Sequence, residues 1–164
     1  MKKMLLISLV AIAVISFLTC VTFAQDLTNK ENWQARAGVL WQQGNSAPQT
    51  ADWTVGVEYM LPKKNNGCFS VTADFIDARS NPPTGGVTTE ALLPVLVNYK
   101  FYGGDNFAIT AGAGIFAKGG QKFAWQVMAD YYFTKNWFIE GRYLNRSINY
   151  NANSFYGAEL GYKF

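Results

Sequence analysis

Residues 154–164, at the end of the chain, alternate strictly between an apolar and a mixed set of side chains. The apolar set consists of Tyr156, Ala158, Leu160, Tyr162 and Phe164. The other set includes Glu159, Lys163 and two glycines. A period of two predicts a β-strand. Because one face carries only apolar groups and the other carries charges, this alternation is typical of a barrel strand with lipid outside and polar groups inside.

Seven earlier stretches share this pattern, which makes eight predicted strands. Their length suits a tilted strand that crosses a bilayer, and eight is the smallest common number for a membrane barrel. The sequence therefore predicts an all-β fold, an eight-stranded antiparallel up-and-down transmembrane β-barrel with a polar interior filled by side chains. The strands are predicted over residues 33–42, 52–61, 69–75, 90–101, 107–116, 125–133, 137–144 and 154–164.

The outward aromatic residues fall near the two ends of the predicted strands, and aliphatic residues lie between them. Two such bands match the aromatic girdles of membrane barrels, where rings lie at the depth of the lipid headgroups. A soluble ligand-binding barrel should instead have polar residues outside and an apolar cup inside. The girdles are predicted to include Trp33, Trp41, Trp53, Trp125 and Trp137.

The inward positions carry both acids and bases, which must pair because an isolated buried charge is very costly. Arg36 and Glu58 are expected to pair across the first two strands. Asp130 should face Glu140, either sharing a cation with it or acting in acid–base chemistry of the glycosidase kind. The alternation also places Asp52 and Asp74 inward. The predicted interior ion-pair cluster comprises Arg36, Glu58, Glu90, Lys100, Asp130, Glu140, Arg142, Glu159 and Lys163.

One position does not suit a closed sheet. Pro94 falls inside the predicted fourth strand, where it cannot donate a ladder hydrogen bond. A local bulge, or an additional water molecule, is expected there.

The first 24 residues have the pattern of a secretory signal peptide: Lys2 and Lys3, an apolar run, and Ala24 before a cut at Gln25. A retained membrane anchor and a lipid-modified Cys20 are the alternatives. Residues 25–32 are predicted to be a short lead-in, and residues 33–164 form the barrel domain. Without the signal, Lys and Arg fall from 14 to 12 against 11 acids. The excess of basic residues is therefore small, and no nucleic-acid partner is expected.

The side chains limit the chemistry. The chain has no histidine, and Cys68 is the only cysteine after residue 24. No internal disulfide or cysteine-based metal site is expected, and no cofactor is predicted. A serine or carboxylate nucleophile would lack a histidine partner, so no catalytic residues are predicted and the protein is expected not to be an enzyme.

Four segments make the chain resemble the small OmpA/OmpX-type outer-membrane barrels: Leu93–Phe101, Gly112–Gly114, Asp130–Asn136 and Tyr162–Phe164. The resemblance covers residues 33–164 and is one of architecture. It implies a monomer in the outer membrane of a Gram-negative bacterium, in contact with outer-membrane lipids. It also implies delivery by periplasmic chaperones and the barrel-assembly machinery, for which Tyr162 and Phe164 would be the signal.

Three classes of function remain after these arguments. The first is a structural or surface-interaction protein with a plugged barrel. The second is a narrow channel or carrier for small or apolar molecules, which inward residues such as Leu92, Leu96 and Phe116 would allow. The third is a lipid-modifying barrel enzyme, which the absence of histidine disfavours.

Overall fold

A computed structural model describes residues 32–43, 51–80, 88–118, 122–146 and 153–164. Within these ranges the chain forms eight strands that close into one antiparallel barrel. The predicted signal peptide, most of the lead-in and four of the seven connections between strands lie outside the described residues. The strands are β1 Trp33–Gln43, β2 Ala51–Met60, β3 Gly67–Ser80, β4 Thr88–Tyr102, β5 Phe107–Lys118, β6 Lys122–Tyr132, β7 Trp137–Arg146 and β8 Asn153–Lys163.

Each strand pairs with the next along the chain, and β1 pairs with β8 to close the sheet. This is the predicted up-and-down topology, so the predicted fold class is confirmed. Three short turns, residues 61–66, 103–106 and 133–136, lie at one end of the barrel, called here the turn side. Residues 44–50, 81–87, 119–121 and 147–152 follow the opposite strand ends, called the loop side. No helix in the described ranges is long and apolar enough to cross a membrane.

The strands alternate between buried and exposed residues, as the period of two predicts. In β6, for example, Gln126, Met128 and Asp130 are buried whereas Trp125 and Val127 are exposed. The buried side chains therefore point into the barrel, and the exposed apolar ones form its outer surface. Tyr59 departs from this rule. It lies on the outward side of β2 but is only 4% exposed.

The structure corrects the predicted ends of several strands. The connection between the predicted strands 69–75 and 90–101 is shorter than expected, because β3 continues to Ser80 and β4 begins at Thr88. The additional residues of β3 include the outward Asp77 and Arg79. They also bring charges onto the outward face, at its loop-side end, where water and headgroups can solvate them. Similarly, β7 extends to Arg146.

The pairing of β4 with β5 shifts between Leu93 and Pro94, which is the local bulge predicted for this proline. Leu93 pairs with Lys118, whereas Pro94 pairs with Phe116, so β5 contributes one additional residue here. After the shift, Lys118 lies opposite Leu93, which faces outward. The bulge therefore turns this lysine to the outside at the loop-side end of the barrel.

Candidate functional site

The barrel interior contains a cluster of ionisable side chains, called here the charge network. Each of its members is at most 4% exposed. A buried charge is costly unless it is paired and hydrogen-bonded, so the contacts among these side chains decide how the interior is organised. The network consists of Arg36, Glu58, Asp74, Lys100, Asp130, Glu140, Arg142 and Glu159.

Arg36 is the most connected residue of the network. Its guanidinium donates to Asp74 Oδ1 from Nη2 at 2.8 Å and from Nε at 3.1 Å. Nη1 donates to Glu140 Oε2 at 3.2 Å, and Nε lies 3.3 Å from Glu159 Oε2. The Arg36–Glu58 contact expected from the sequence is present but is longer, at 3.7 Å. Asp74 is therefore the principal partner of Arg36.

Two further cations complete the network. Arg142 donates from Nη2 to Asp74 Oδ2 and to Gln126 Oε1, both at 2.6 Å. Lys100 donates to Glu58 Oε2 at 2.9 Å and lies 2.9 Å from Asp130 Oδ2. The three cations thus bridge carboxylates from strands that are not neighbours, which links opposite walls of the barrel.

Carboxylates outnumber cations in this set, and three of them lie in one row across β6, β7 and β8. Asp130 pairs with Glu140 in the ladder, and Glu140 pairs with Glu159. The predicted facing of Asp130 and Glu140 is therefore found. The two acids are joined to different cations, Lys100 and Arg36 respectively, rather than to one shared cation.

Gly56 makes the closest part of the network possible. The ladder runs from Arg36 to Gly56 and on to Asp74, so the glycine lies on the strand between the two charged residues. A Cβ at this position would collide with Asp74 Oδ1 and would crowd Arg36 Nε. The missing side chain leaves the space in which the carboxylate and the guanidinium meet.

A layer of neutral polar groups adjoins the network. Gln126 Nε2 donates to Asn98 Oδ1 at 2.7 Å and to Thr72 Oγ1 at 3.3 Å. Since Gln126 also accepts from Arg142, it connects this layer to the charges. Along β4, Asn98 lies between the apolar Leu96 and the charged Lys100, so the layer marks the transition between two kinds of interior.

Apolar clusters lie on both sides of the charged and polar layers. The smaller, at the turn side, includes Ala108, Tyr132 and Phe138. The larger lies in the loop-side half of the interior, where Asp52 and Arg146 are also buried, and its members are at most 5% exposed. Together the two clusters keep the charge network away from both ends of the barrel. The larger cluster comprises Leu40, Ile76, Ala78, Leu92, Leu96, Phe116, Ala124, Leu144 and Phe155.

Two residues of the predicted interior cluster lie elsewhere. The Glu90 side chain is 55% exposed and contacts Arg146 at 3.4 Å near the loop side, because β4 extends beyond the closed part of the barrel. Lys163 is partly exposed at the turn side, where its carbonyl accepts from Asn136 Nδ2. The alternation indicated the side of the sheet for these residues but not their depth along the barrel.

Conversely, the predicted cluster omitted Asp74, the acid with the closest guanidinium contacts. The alternation placed it inward, but nothing local to β3 indicates that it reaches two arginines. The sequence feature that could have indicated the Arg36–Asp74 contact was Gly56, the one small inward residue between them. Using it would have required the strand register.

The outer surface carries rings at both ends of the strands. At the loop side, Trp41 stacks with Tyr156 at 6.2 Å and Trp125 packs near Tyr143 at 5.3 Å between ring centroids. Trp53 contacts Phe75 at the same end. Such pairs between strands add packing to the ladder itself.

At the turn side, Trp33 contacts Tyr59, with 5.1 Å between the ring centroids. Trp137 and Phe164 both contact Tyr162, at 5.0 and 5.4 Å between centroids. The backbone nitrogen of Phe164 also donates to the Trp33 carbonyl, so the residues proposed as an assembly signal are part of the closing seam.

The network has the composition of a structural ion-pair cluster. The chain has no histidine, and the described residues contain no group of three or more acids, cysteines or histidines that could hold a metal ion. Cys68 is buried and lies 3.8 Å from the Tyr102 hydroxyl. The ion pairs of the charge network can hold the barrel walls together and oppose the entry of water or ions.

No family model matches this sequence, and no curated protein has a matching sequence. Solved structures do match the fold. The attachment invasion locus protein Ail of Yersinia pestis aligns over 82% of this chain and 99% of its own, with 11% identity and a TM-score of 0.60. The N-terminal barrel domain of Pseudomonas aeruginosa OprF aligns over 82% and 98%, with 14% identity and a TM-score of 0.55.

Neisserial surface protein A aligns over 81% of this chain and 97% of its own, with 13% identity and a TM-score of 0.52. These matches extend over nearly the full length of the other chains and include the closed eight-stranded sheet. At such low identity they establish architecture alone. This chain therefore has the fold of the small eight-stranded outer-membrane β-barrels, and the resemblance of the sequence to the OmpA/OmpX type is confirmed at that level.

Proposed function

We propose that this protein is an integral outer-membrane barrel with a structural or surface-interaction role and a closed, non-conducting interior. The observation that carries the proposal is the reversed polarity of the barrel. Val57, Ile139 and Leu160 on the outer wall are each 45–50% exposed, whereas Lys100, Asp130 and Glu140 inside are fully buried. An exposed apolar surface that surrounds a barrel favours lipid as its surroundings.

The similar structures favour a role at the cell surface. Ail is named an attachment invasion locus protein, and the neisserial protein is named a surface protein. A lipid-modifying enzyme is disfavoured, because the chain has no histidine to activate a nucleophile. We extend the proposal to its partners: the protein works as a monomer in contact with outer-membrane lipids, after insertion by the barrel-assembly machinery.

The packing of the interior supports a closed barrel over the alternative, a narrow channel or carrier. A path along the axis would have to cross the loop-side apolar cluster, where Leu96 and Phe116 are fully buried. It would then have to separate ion pairs such as Arg142–Asp74, whose atoms are 2.6 Å apart. An eight-stranded barrel is just wide enough for side chains to fill it.

The proposal is tested first by refolding. The purified protein should fold in detergent micelles and migrate differently on a gel before and after boiling, because a closed sheet has no free edge for SDS to attack. Fractionation of expressing cells should find it in the outer membrane. Identical migration of boiled and unboiled samples, or recovery in the soluble fraction, would contradict the membrane barrel.

A matched pair of arginine substitutions tests the outward face. Val57→Arg should lower the free energy of unfolding by about 2–4 kcal/mol, the cost of a cation near the bilayer midplane. Asn106→Arg, at an exposed position of a turn-side turn, should cost less than about 1 kcal/mol. Urea titration of both variants in lipid vesicles measures the difference. Equal costs would mean that Val57 does not face lipid.

Conductance separates the closed barrel from the channel. Planar bilayers that contain the refolded protein should show no discrete current steps at neutral pH. Reproducible steps that disappear when Leu96 is replaced by the larger Phe would favour the channel alternative, since that substitution enlarges a side chain in the interior of the barrel.

A further inference from the structure

A pocket of about 350 Å³ opens on the outside of the barrel at the turn-side end of β2, β3 and β4. Its lining residue Cys68 pairs in the ladder with Lys100 of the charge network, which is enclosed inside the sheet. Its volume falls within the range of about 300–1,000 Å³ that is typical of small-molecule sites. Among its lining residues are the apolar Leu61, Phe69 and Tyr99 together with the polar Lys64 and Asn65.

The walls of the pocket are built by aromatic packing over a glycine. The rings of Phe69 and Tyr99 meet edge to face, with 5.1 Å between their centroids. Gly67 lies beneath the end of the Tyr99 ring, and a Cβ at this position would collide with the tyrosine hydroxyl and its Cζ. Leu61 is held beside them by the hydrogen bond from its backbone nitrogen to the Phe69 carbonyl, at 2.8 Å. The pocket is therefore a packed feature of the outer wall.

The apolar wall lies at the depth of the turn-side aromatic girdle. Phe69 and Tyr99 are 55% and 46% exposed on the outward face, as are other rings at this end of the barrel. Rings at this level lie where the lipid headgroups meet the acyl chains when a barrel spans a bilayer. The wall would thus meet the first part of the acyl chains, and the turn above it would meet the headgroups.

The polar side of the pocket is basic. Lys63 in the same turn lies over the Tyr102 ring, at 4.4 Å from its centroid, and Lys64 is the lysine among the residues that line the pocket. Asn65 beside it adopts a left-handed backbone, with a φ of 57°, at the tip of the turn. Across the three turn-side turns, the lysines at 63, 64 and 135 outnumber the single acid, Asp105. This charge complements an anionic leaflet surface.

We propose that this pocket binds one phospholipid with an anionic headgroup from the leaflet on the turn side of the barrel. The Lys64 ammonium holds the phosphate, and the upper acyl chains lie along Leu61, Phe69 and Tyr99. The inference rests on the proposed function, since it requires the barrel to span a membrane. A lipid, rather than a free phosphate, is the occupant because one lysine beside an apolar wall provides few contacts for a small anion.

Native mass spectrometry of the refolded barrel can test this site. The protein is released from micelles doped with equal mole fractions of phosphatidylglycerol and phosphatidylcholine, and the lipids retained on it are counted. The unmodified protein should retain one phosphatidylglycerol in preference to phosphatidylcholine. Lys64→Gln should reduce that retention about fivefold, the usual effect of one lysine on anionic lipid binding. Lys135→Gln, at an exposed lysine of another turn-side turn, should leave retention unchanged.

Two further experiments test the apolar wall and ask whether the pocket binds a lipid or free phosphate. Leu61→Asn should weaken retention of both lipids, because it removes part of the surface along which the chains lie. Millimolar inorganic phosphate should not displace the bound phosphatidylglycerol. Displacement by phosphate would mean an anion site without a lipid, and an equal loss in the two lysine variants would mean general surface attraction. Either result overturns the proposal.

Gel migration measured on the same samples separates this inference from the function on which it rests. A folded, heat-modifiable barrel that retains both lipids equally would overturn the lipid site alone. A sample whose migration does not change on boiling would overturn the membrane barrel, and the lipid site with it.

Discussion

The two halves of the barrel interior are stabilised in different ways. In the loop-side half, Ile76, Leu96 and Phe116 pack with other apolar side chains and have no hydrogen-bonding groups to satisfy. In the turn-side half, Arg36 and Lys100 reach carboxylates on several strands. Packing in the first half depends on volume. Stability in the second depends on whether each buried charge keeps its partners, since a stranded charge costs more than a small void.

The two halves also differ in how strictly they specify one arrangement of side chains. An apolar layer tolerates exchange between side chains of similar volume, so many arrangements of comparable energy can fill it. An arginine with fixed directions for its donors is satisfied only when particular acids lie at particular depths. We infer that the charge network holds the register of the closed sheet, while the apolar layer fills the interior volume.

The largest effect should follow removal of Arg36. Arg36→Ala should lower the free energy of unfolding by about 3–5 kcal/mol, because it leaves buried carboxylates without their cation. Asp74→Ala should also be costly, but the double variant should recover part of the sum. Urea titrations in micelles provide the coupling energy from the four proteins of this cycle.

A second cycle with Glu58→Ala is the control for the first. Since Glu58 is 3.7 Å from Arg36 and 2.9 Å from Lys100, its coupling to Arg36 should be weaker than that of Asp74, whose closest contact is 2.8 Å. If both cycles are additive, the turn-side half does not depend on pairing and the contrast between the halves fails.

A somewhat smaller effect is expected in the loop-side half. Leu96→Ala should cost about 2–4 kcal/mol, because it leaves a cavity in a fully buried cluster. Leu96→Met keeps the volume and should cost less than about 1.5 kcal/mol. The same titrations measure both. A methionine variant as unstable as the alanine variant would show that this half also demands one particular arrangement.

Much of this contrast follows from patterns that are local in the sequence. The alternation placed Leu96 and Lys100 on the inner face, Val97 and Tyr99 on the outer face, and predicted the bulge at Pro94. These features depend only on the period of two and on the chemistry of single residues. Eight strands of suitable length then led to a closed barrel.

The depth of each side chain was harder to predict, because it depends on the stagger between strands rather than on the alternation. Glu90 was expected inside, yet β4 carries it toward the loop-side rim. Asp77 was assigned to a loop, because residues 81–86 contain two prolines and two glycines, yet β3 continues past it to Ser80. Asp74 meets Arg36 across Gly56, a contact that becomes evident only once both registers are known.

The smallest effect should come from Glu140, and it tests whether all acids of the network are equivalent. Asp74 accepts hydrogen bonds from Arg36 and Arg142, whereas Glu140 accepts from Arg36 and lies between Asp130 and Glu159 in the ladder. Glu140→Gln replaces the central acid of this row by a neutral amide, so weaker repulsion between the acids should offset the weaker bond to Arg36. The change in the free energy of unfolding should remain within about 1 kcal/mol, the net value of one ordinary hydrogen bond.

Asp74→Asn is the matched variant, since it also replaces a carboxylate by its amide. It should cost clearly more, because its amide replaces an acceptor of two guanidinium groups and directs donors toward one of them. Urea titrations at neutral pH compare the two. Equal losses would mean that net charge does not matter inside the barrel and that geometry alone distinguishes its halves. A smaller loss for Glu140→Gln would show that the turn-side half carries more negative charge than its three cations require.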